Sequence, residues 1–282
     1  MRDHADSYPI EAMSKVLGVS VAGYYDWKNR KPSMRDTWSA MILAAMLEIY
    51  KQQRGLIGSP TMTDLINKAG LHVNHKCIER LMKENGLYAV YRLKFKKATT
   101  NSNHKMPVSS NLLKRNFRVE KPNKVWVSDI TYIKTKQGWL YLCIVIDLFS
   151  RKAVGWSMDT RMATKLVADA FLMAYKTRKP KAWELIFHSD RGSQYCSREF
   201  RRLLRRMKVI SSMSKAGDCY DNACAESWFG LLKRELIYML NTDDQQKIRT
   251  EVFEYIEVFY NRQRVHSTIN NMTPEEYELK AA

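Results

Sequence analysis

WVSDITYI (Trp126 to Ile133), WLYLCIVIDLF (Trp139 to Phe149) and RKAVGWSM (Arg151 to Met158) are runs of β-branched and aromatic residues joined by hairpin-length connections, the first through Lys136-Gln137-Gly138. Such runs predict three sequential antiparallel strands. The pattern then changes period. Met162 to Thr177 reads as a helix, Glu184 to Ser189 as a strand, Ser197 to Lys208 as a helix and Val209 to Ser211 as a short final strand. Helix-linked strands pair in parallel, so the sum is a mixed α/β sheet. Two more helices, Ala223 to Tyr238 and Asp243 to Asn261, close the domain.

Three carboxylates occupy telling places in this frame. Asp129 sits inside the first strand, where it alternates with Val127 and Thr131, and an Asp in a central strand calls for a partner such as a metal. Asp190 lies in LIFHSDRGSQY (Leu185 to Tyr195), where a strand runs out into a polar turn at the end at which α/β sheets place ligands. Glu226 follows after thirty-five intervening residues, in DNACAESWFGLLKRE (Asp221 to Glu235), a helix with Asp221 or Asn222 as its N-cap. Brought together, three acids repel one another and raise each other's pKa unless cations neutralise them. Hard divalent ions such as Mg²⁺ take oxygen ligands and complete their shell with phosphate, and a pair of them serves phosphoryl transfer. Lys233, seven residues after Glu226, shares its helix face, with Gly230 between them leaving room for a bulky substrate.

The segments around Asp129, Asp190, Glu226 and Lys233, with HSDRGSQY, DNACAES and the terminal YNRQRVHSTINNMTPEEY (Tyr260 to Tyr277), resemble the DDE transposases of bacterial insertion sequences. More narrowly, the chain is similar over nearly its whole length to the orfB catalytic subunit, of the retroviral-integrase-like superfamily with an RNase H-like core. The resemblance implies that Asp129, Asp190 and Glu226 are the catalytic, metal-holding triad. It also implies two Mg²⁺ ions per site, with Mn²⁺ as a substitute. The implied reaction is cleavage at the terminal inverted repeats followed by strand transfer into target DNA, through a branched and then circular intermediate. Implied partners are double-stranded DNA, further copies of the chain in a multimer on DNA, and an upstream orfA-type protein to which such products are fused by frameshifting.

Charge agrees with a polyanionic partner. The 282 residues carry a formal +18, and hydrophobic residues make up 45%, enough for a buried core. No apolar run approaches a membrane span and the N-terminus does not read as a signal peptide, so the expectation is a cytoplasmic, nucleoid-associated protein with no membrane partner. The five cysteines, odd in number and without a CxxC pair, read as reduced thiols. His72, His75 and Cys77 lack a second Cys at zinc-site spacing and read as helix and loop residues.

Ahead of the core lie helical segments. Glu11 to Lys28 reads as a short helix, a turn at Gly18 and a second helix, and Trp38 to Gly86 carries apolar helical spacing with Gly70 and Gly86 as stops. Residues 1–36 are therefore read as a helix-turn-helix-like segment, and residues 37–90 as a second helical module. The pattern alone suits a bundle or a DNA reader, and the resemblance favours DNA. Residues 91–121 hold nine basic residues and one acidic, with little apolar periodicity, and read as a mobile basic linker tracking phosphates; residues 122–282 are the integrase catalytic core with its C-terminal helices. Candidate DNA contacts are Lys94, Lys96 and Lys97 in the linker, Arg191 and Asn222 beside the carboxylates, Lys233, and Arg198 and Arg202 on the basic outer stripe of the helix from Ser197.

Competing groups have structural readings. Asp147 is assigned to holding its turn or pairing with Arg151, and His188 to supporting the Asp190 turn. Two other functions remain open from the sequence: another RNase H-fold integrase or nuclease, or a non-catalytic DNA-binding regulator derived from a transposase.

Overall fold

The computed structural model describes residues 1–90, 106–114, 116–215, 223–242 and 244–281. The chain forms two compact units, Met1–Glu48 and Ile49–Ala282. In the first, α1 (Ile10–Leu17) ends at Gly18, whose left-handed φ of 66° turns the chain and lets its N–H donate to the Ser14 carbonyl. Helix α2 (Val21–Asn29) starts three residues later, capped by the Ser20 hydroxyl, which accepts from the Gly23 N–H at 2.9 Å. This is the helix, turn, helix order expected from the sequence. The boundary between units falls within α3 (Met34–Gln52).

In the second unit, α4 (Ser59–Lys68) and α5 (His75–Glu84) come before the sheet. Asn74 caps α5 by accepting from Cys77 N–H at 3.0 Å, and Met62, Ile66, Ile78 and Leu81 are buried at helical spacing. The sheet contains β1 (Val125–Thr135), β2 (Gly138–Asp147), β3 (Ala153–Asp159), β4 (Ile186–Ser189) and β5 (Ile210–Met213) in the spatial order β3-β2-β1-β4-β5. The first three strands pair antiparallel, and β4 and β5 join parallel. This is the mixed RNase H-like sheet, with β1 central and β4 beside it.

Side-chain alternation splits the core in two. Val127 on β1 and Leu140, Leu142, Ile144 and Ile146 on β2 face α9 (Ala223–Leu232) and α10 (Gln245–Glu254), burying Ala225, Trp228, Leu232 and Val252. Trp126, Cys143 and Val145 point the other way, against α6 (Thr164–Arg178), α7 (Ser193–Cys196) and α8 (Arg198–Arg206). By parity with Val127, Asp129 projects to the α9 side. Both α9 and α10 run on into a π-helical turn, Lys233–Ile237 and Tyr255–Tyr260 respectively.

Three findings differ from the sequence expectations. The turn after Asp190 folds into the one-turn helix α7, too short to show periodicity. A further helix, α11 (Pro274–Ala281), follows the two expected to close the domain. Glu278 on α11 accepts two bonds from the Arg178 guanidinium at 2.7 and 2.8 Å and one from the Ser150 hydroxyl at 2.7 Å, so polar contacts hold a helix whose pattern is weak. Finally, mobility does not describe the C-terminal part of the basic segment. Ser109 meets the Ser211 hydroxyl at 2.9 Å, Leu112 N–H donates to Ser212 at 2.9 Å, and Leu113 is buried, so this stretch covers the β5 edge of the sheet. A segment held along a sheet edge by hydrogen bonds needs few apolar anchors, which is why its pattern reads as a linker.

Candidate active site

β1 and β4 run parallel with Val127 opposite His188 and Ser128 opposite Ser189. The next residues along the two strands are Asp129 and Asp190, so the backbone ladder itself brings the two acids to neighbouring positions at the strands' C-terminal side. Asp129 Oδ1 accepts from Ile130 N–H at 2.8 Å. Asp190 Oδ1 accepts from Gly192 N–H at 2.9 Å, and a Cβ on Gly192 would lie 3.0 Å from that same oxygen, so a glycine there lets the turn close on the carboxylate.

Glu226 arrives from the other side, on the first turn of α9, which packs against β1. All three acids remain partly exposed. The Asp129 carboxyl is pushed well above the usual range, first by burial, then by the charges of Asp190 and Glu226; the Ile130 N–H and the Lys233 ammonium pull it back. Four of the sequence-selected groups thus act on one another through space. Lys233 Nζ also sits 5.0 Å from the centroid of the Tyr132 ring, which packs edge-on against Trp139. A Cβ on Gly230 would meet only Arg234 Nη1 at 3.8 Å, so the helix surface between Glu226 and Lys233 is open.

Below the acids, on the opposite face of β1, lies a neutral polar layer that sequence reasoning missed. Ser128 bonds the Tyr195 hydroxyl at 2.9 Å and touches Cys143 Sγ at 3.5 Å. Burial pushes the Cys143 thiol up to about 12 and raises the Tyr195 phenol, so neither adds charge beneath the carboxylates. The only signal in the sequence is the even-numbered parity of Ser128 against Asp129. His188 is buried between Ser212 at 2.9 Å and Ser214 at 3.2 Å, tying β4 to β5 and supporting the start of the Asp190 turn.

Other selected residues lie apart. Arg191 Nε donates to the Ser214 carbonyl at 2.8 Å, bracing the same turn. Arg198 and Arg202 are exposed on α8, which packs on the sheet face opposite α9, so they do not join the carboxylates. Asn222, with Asp218 and Asp221, lies outside the described residues, as do Lys94, Lys96 and Lys97. Asp147 holds its turn, accepting from Asn123 N–H at 2.8 Å and Phe149 N–H at 3.0 Å, but the guanidinium that reaches it, at 3.4 Å, is that of Arg178. Arg151 instead donates from its guanidinium to Cys224 Sγ at 2.7 Å, while its backbone N–H closes the turn onto the Asp147 carbonyl.

Carboxylate oxygens are suitable donors for a hard divalent cation, and the mutual repulsion at Asp129 is the charge such a cation would neutralise. The described side chains do not themselves form a finished cluster: among the described residues no three His, Cys, Asp or Glu groups are arranged to hold a metal ion.

Comparison with known proteins places this geometry in a family. Integrase core domain models match residues 119–219 and 226–281, and an HTH-like domain model matches residues 38–95. The transposase InsF for insertion sequence IS3A of Escherichia coli (strain K12) is 39% identical over 280 residues, covering 98% of this chain and 96% of InsF. The chain belongs to the IS3 family of insertion-sequence transposases. A second relative of this transposase, the IS600 uncharacterized 31 kDa protein of Shigella sonnei, is 38% identical over 95% of the chain and 98% of its own length. Among solved structures, the HTLV-2 integrase catalytic core domain in complex with magnesium is similar at 20% identity over 57% of this chain and 99% of its own, with a TM-score of 0.44. A simian T-cell lymphotropic virus intasome chain is similar at 18% identity over 74% and 69%, with a TM-score of 0.48. As an IS3-family transposase with an HTH-like domain, the protein is a DNA-binding polynucleotidyl transferase. Among the described residues no helix is long and apolar enough to cross a membrane.

Proposed function

We propose that this transposase cuts DNA at the ends of its own insertion sequence and joins the freed ends to a target, with Asp129, Asp190 and Glu226 as the catalytic carboxylates. The observation that carries the reading is that the β1–β4 register and the first turn of α9 bring three acids together, so that the Asp129 carboxyl is raised first by burial and then by Asp190 and Glu226, while Lys233 lowers it. Such a group favours proton or cation uptake. The three acids would hold Mg²⁺ or Mn²⁺, two ions in all, which when bound would activate the attacking oxygen and stabilise the leaving one. The chain's own contribution is alignment. Asp129 and Asp190 are fixed by the strand ladder, Glu226 closes from the helix, and Lys233 meets a phosphate of the bound strand. In cleavage, a water oxygen displaces the 3′-oxygen at the element end; in joining, that 3′-hydroxyl displaces a 3′-oxygen of the target, so one site serves both displacements. Partners in this reading are terminal inverted repeats, target DNA, other copies of the chain and an orfA-type protein.

The test uses the full chain with labelled duplexes carrying the element's end. Asp129→Asn, Asp190→Asn and Glu226→Gln are each expected to abolish cleavage and joining in Mg²⁺ while leaving end binding within about threefold, a loss of at least ~10²–10³ for a group acting on transition-state charge. Full strand transfer by any one of the three variants would overturn the assignment.

A further inference from the structure

Beside α9 lies a cavity of about 430 Å³, lined by the start of α4, by α9, by Ile146 near the end of β2 and by the segment from Arg264 to Thr268. Its chemistry is that of a site for a negative charge. Trp228, 2% exposed, lines it, and its indole N–H is a buried donor with no hydrogen-bond partner among the described residues, a costly arrangement in a protein interior. Arg151 lines it as well. Its guanidinium touches Cys224 Sγ at 2.7 Å and the Phe117 carbonyl at 3.4 Å and has no carboxylate partner among the described residues. By contrast, Arg264, on the same wall, is neutralised by a two-pronged bond to Glu235 at 2.7 and 2.8 Å.

The third element is α4. Gly58, its N-cap, offers no side chain to the first turn, Pro60 removes one amide, and Gly58 and Thr61 both line the cavity. An uncapped helix start carries partial positive charge and free N–H groups. His266, also on the wall, stays neutral, because burial and then the nearby Arg264 and Arg151 charges lower its pKa to about 3. A fixed cation, an indole donor without a described partner and an uncapped helix start therefore converge on one space with no acid among its described lining residues.

We infer that this cavity binds a phosphate group, held by Arg151, the Trp228 N–H and the first turn of α4. Its position gives it a consequence. Trp228 and Cys224 are the α9 neighbours of Glu226, so an occupied cavity would fix the register of the helix that presents that residue. Two sources could supply the group: a backbone phosphodiester of bound DNA, or a free phosphate.

Cys224 lines the cavity and reports on it, while the partly exposed Cys77 on α5 serves as an internal reference. The experiment is alkylation of the full chain by a maleimide, with peptide mass spectrometry giving the rate at each thiol. Millimolar inorganic phosphate, against chloride at equal ionic strength, is expected to slow Cys224 about tenfold and leave Cys77 unchanged. Trp228→Phe, which keeps the ring and loses the N–H, should reduce that protection to threefold or less, and Arg151→Gln should remove it. A short duplex added without phosphate separates the sources: protection of Cys224 by DNA assigns the site to a backbone phosphodiester, and protection by inorganic phosphate alone assigns it to the free ion. Absence of protection by either, or equal protection in wild type and Trp228→Phe, would overturn the inference. None of these readouts needs catalysis, so they stand apart from the carboxylate assignment.

Discussion

The acids from the strands and the acid from the helix are positioned by different physics. Asp129 lies on β1 and Asp190 one residue past β4, so the parallel register of the two strands sets them side by side, and a slip by one residue would put them out of step. Glu226 has no such ladder to the sheet. It depends on Ala225, Trp228, Phe229 and Leu232 packing into the apolar layer over β1 and β2. A ladder fixes position to a fraction of an ångström, whereas a packed helix can shift by small repacking. On the proposed assignment, the strand pair is the half of the site held by backbone pairing, and α9 is the half held by side-chain packing.

That contrast makes its strongest demand on side-chain length. Asp190→Glu pushes a carboxylate past a fixed position and should cost at least ~10²-fold in strand transfer, the penalty for about an ångström of misplacement. Glu226→Asp should cost about tenfold, because α9 can yield; equal losses in the joining assay would show that the helix is as rigid as the strands. Next is stability. A Cβ at Gly155 on β3 would stand 2.3 Å from the Ala170 carbonyl oxygen of α6, so Gly155→Ala should destabilise the protein by about 3 kcal/mol. Leu232→Ala on α9 should cost a similar ~3 kcal/mol through the cavity it leaves, yet it alone should also depress joining by the protein that remains folded. Urea titration with parallel joining assays separates the two.

Asp147 gives a smaller effect, confined to a pH window. Burial pushes its carboxyl up to about 6 despite four nitrogen donors, whereas the unfolded chain titrates at about 3.9. Between these values the folded state holds the extra proton, so its contribution is greatest below about pH 4 and is lost as pH rises through about 6. Relative to Asp147→Asn, wild type should lose about 2–3 kcal/mol across that range and nothing more above it, as read by urea midpoints at each pH. Smallest is Lys233→Ala. If the ammonium meets one phosphate, the salt dependence of end binding should fall by about one contact, measured by titrating binding against salt.

Much of this was legible in the chain. The alternation in WVSDITYI put Asp129 on the face that α9 covers, and the seven-residue step from Glu226 to Lys233 put both on one helix side, where the lysine acts on Asp129. The signals that failed were non-local. Arg178 is thirty-one residues from Asp147, and Glu278 is one hundred from Arg178, so no local pattern shows that network. Ser128, Cys143 and Tyr195 are ordinary residues until the sheet and α7 stack them under the acids.

The sequence by itself determined the strand order, the helix faces, the three acids and the basic balance, because periodicity, turn chemistry and residue type are properties of short stretches. Tertiary structure alone decided which acids feel one another, which arginine neutralises Asp147, and where an indole N–H and a guanidinium are left facing a common cavity. Those outcomes depend on burial and on distances between remote segments, since the energy of a buried charge or an unpaired donor is set by what surrounds it in space.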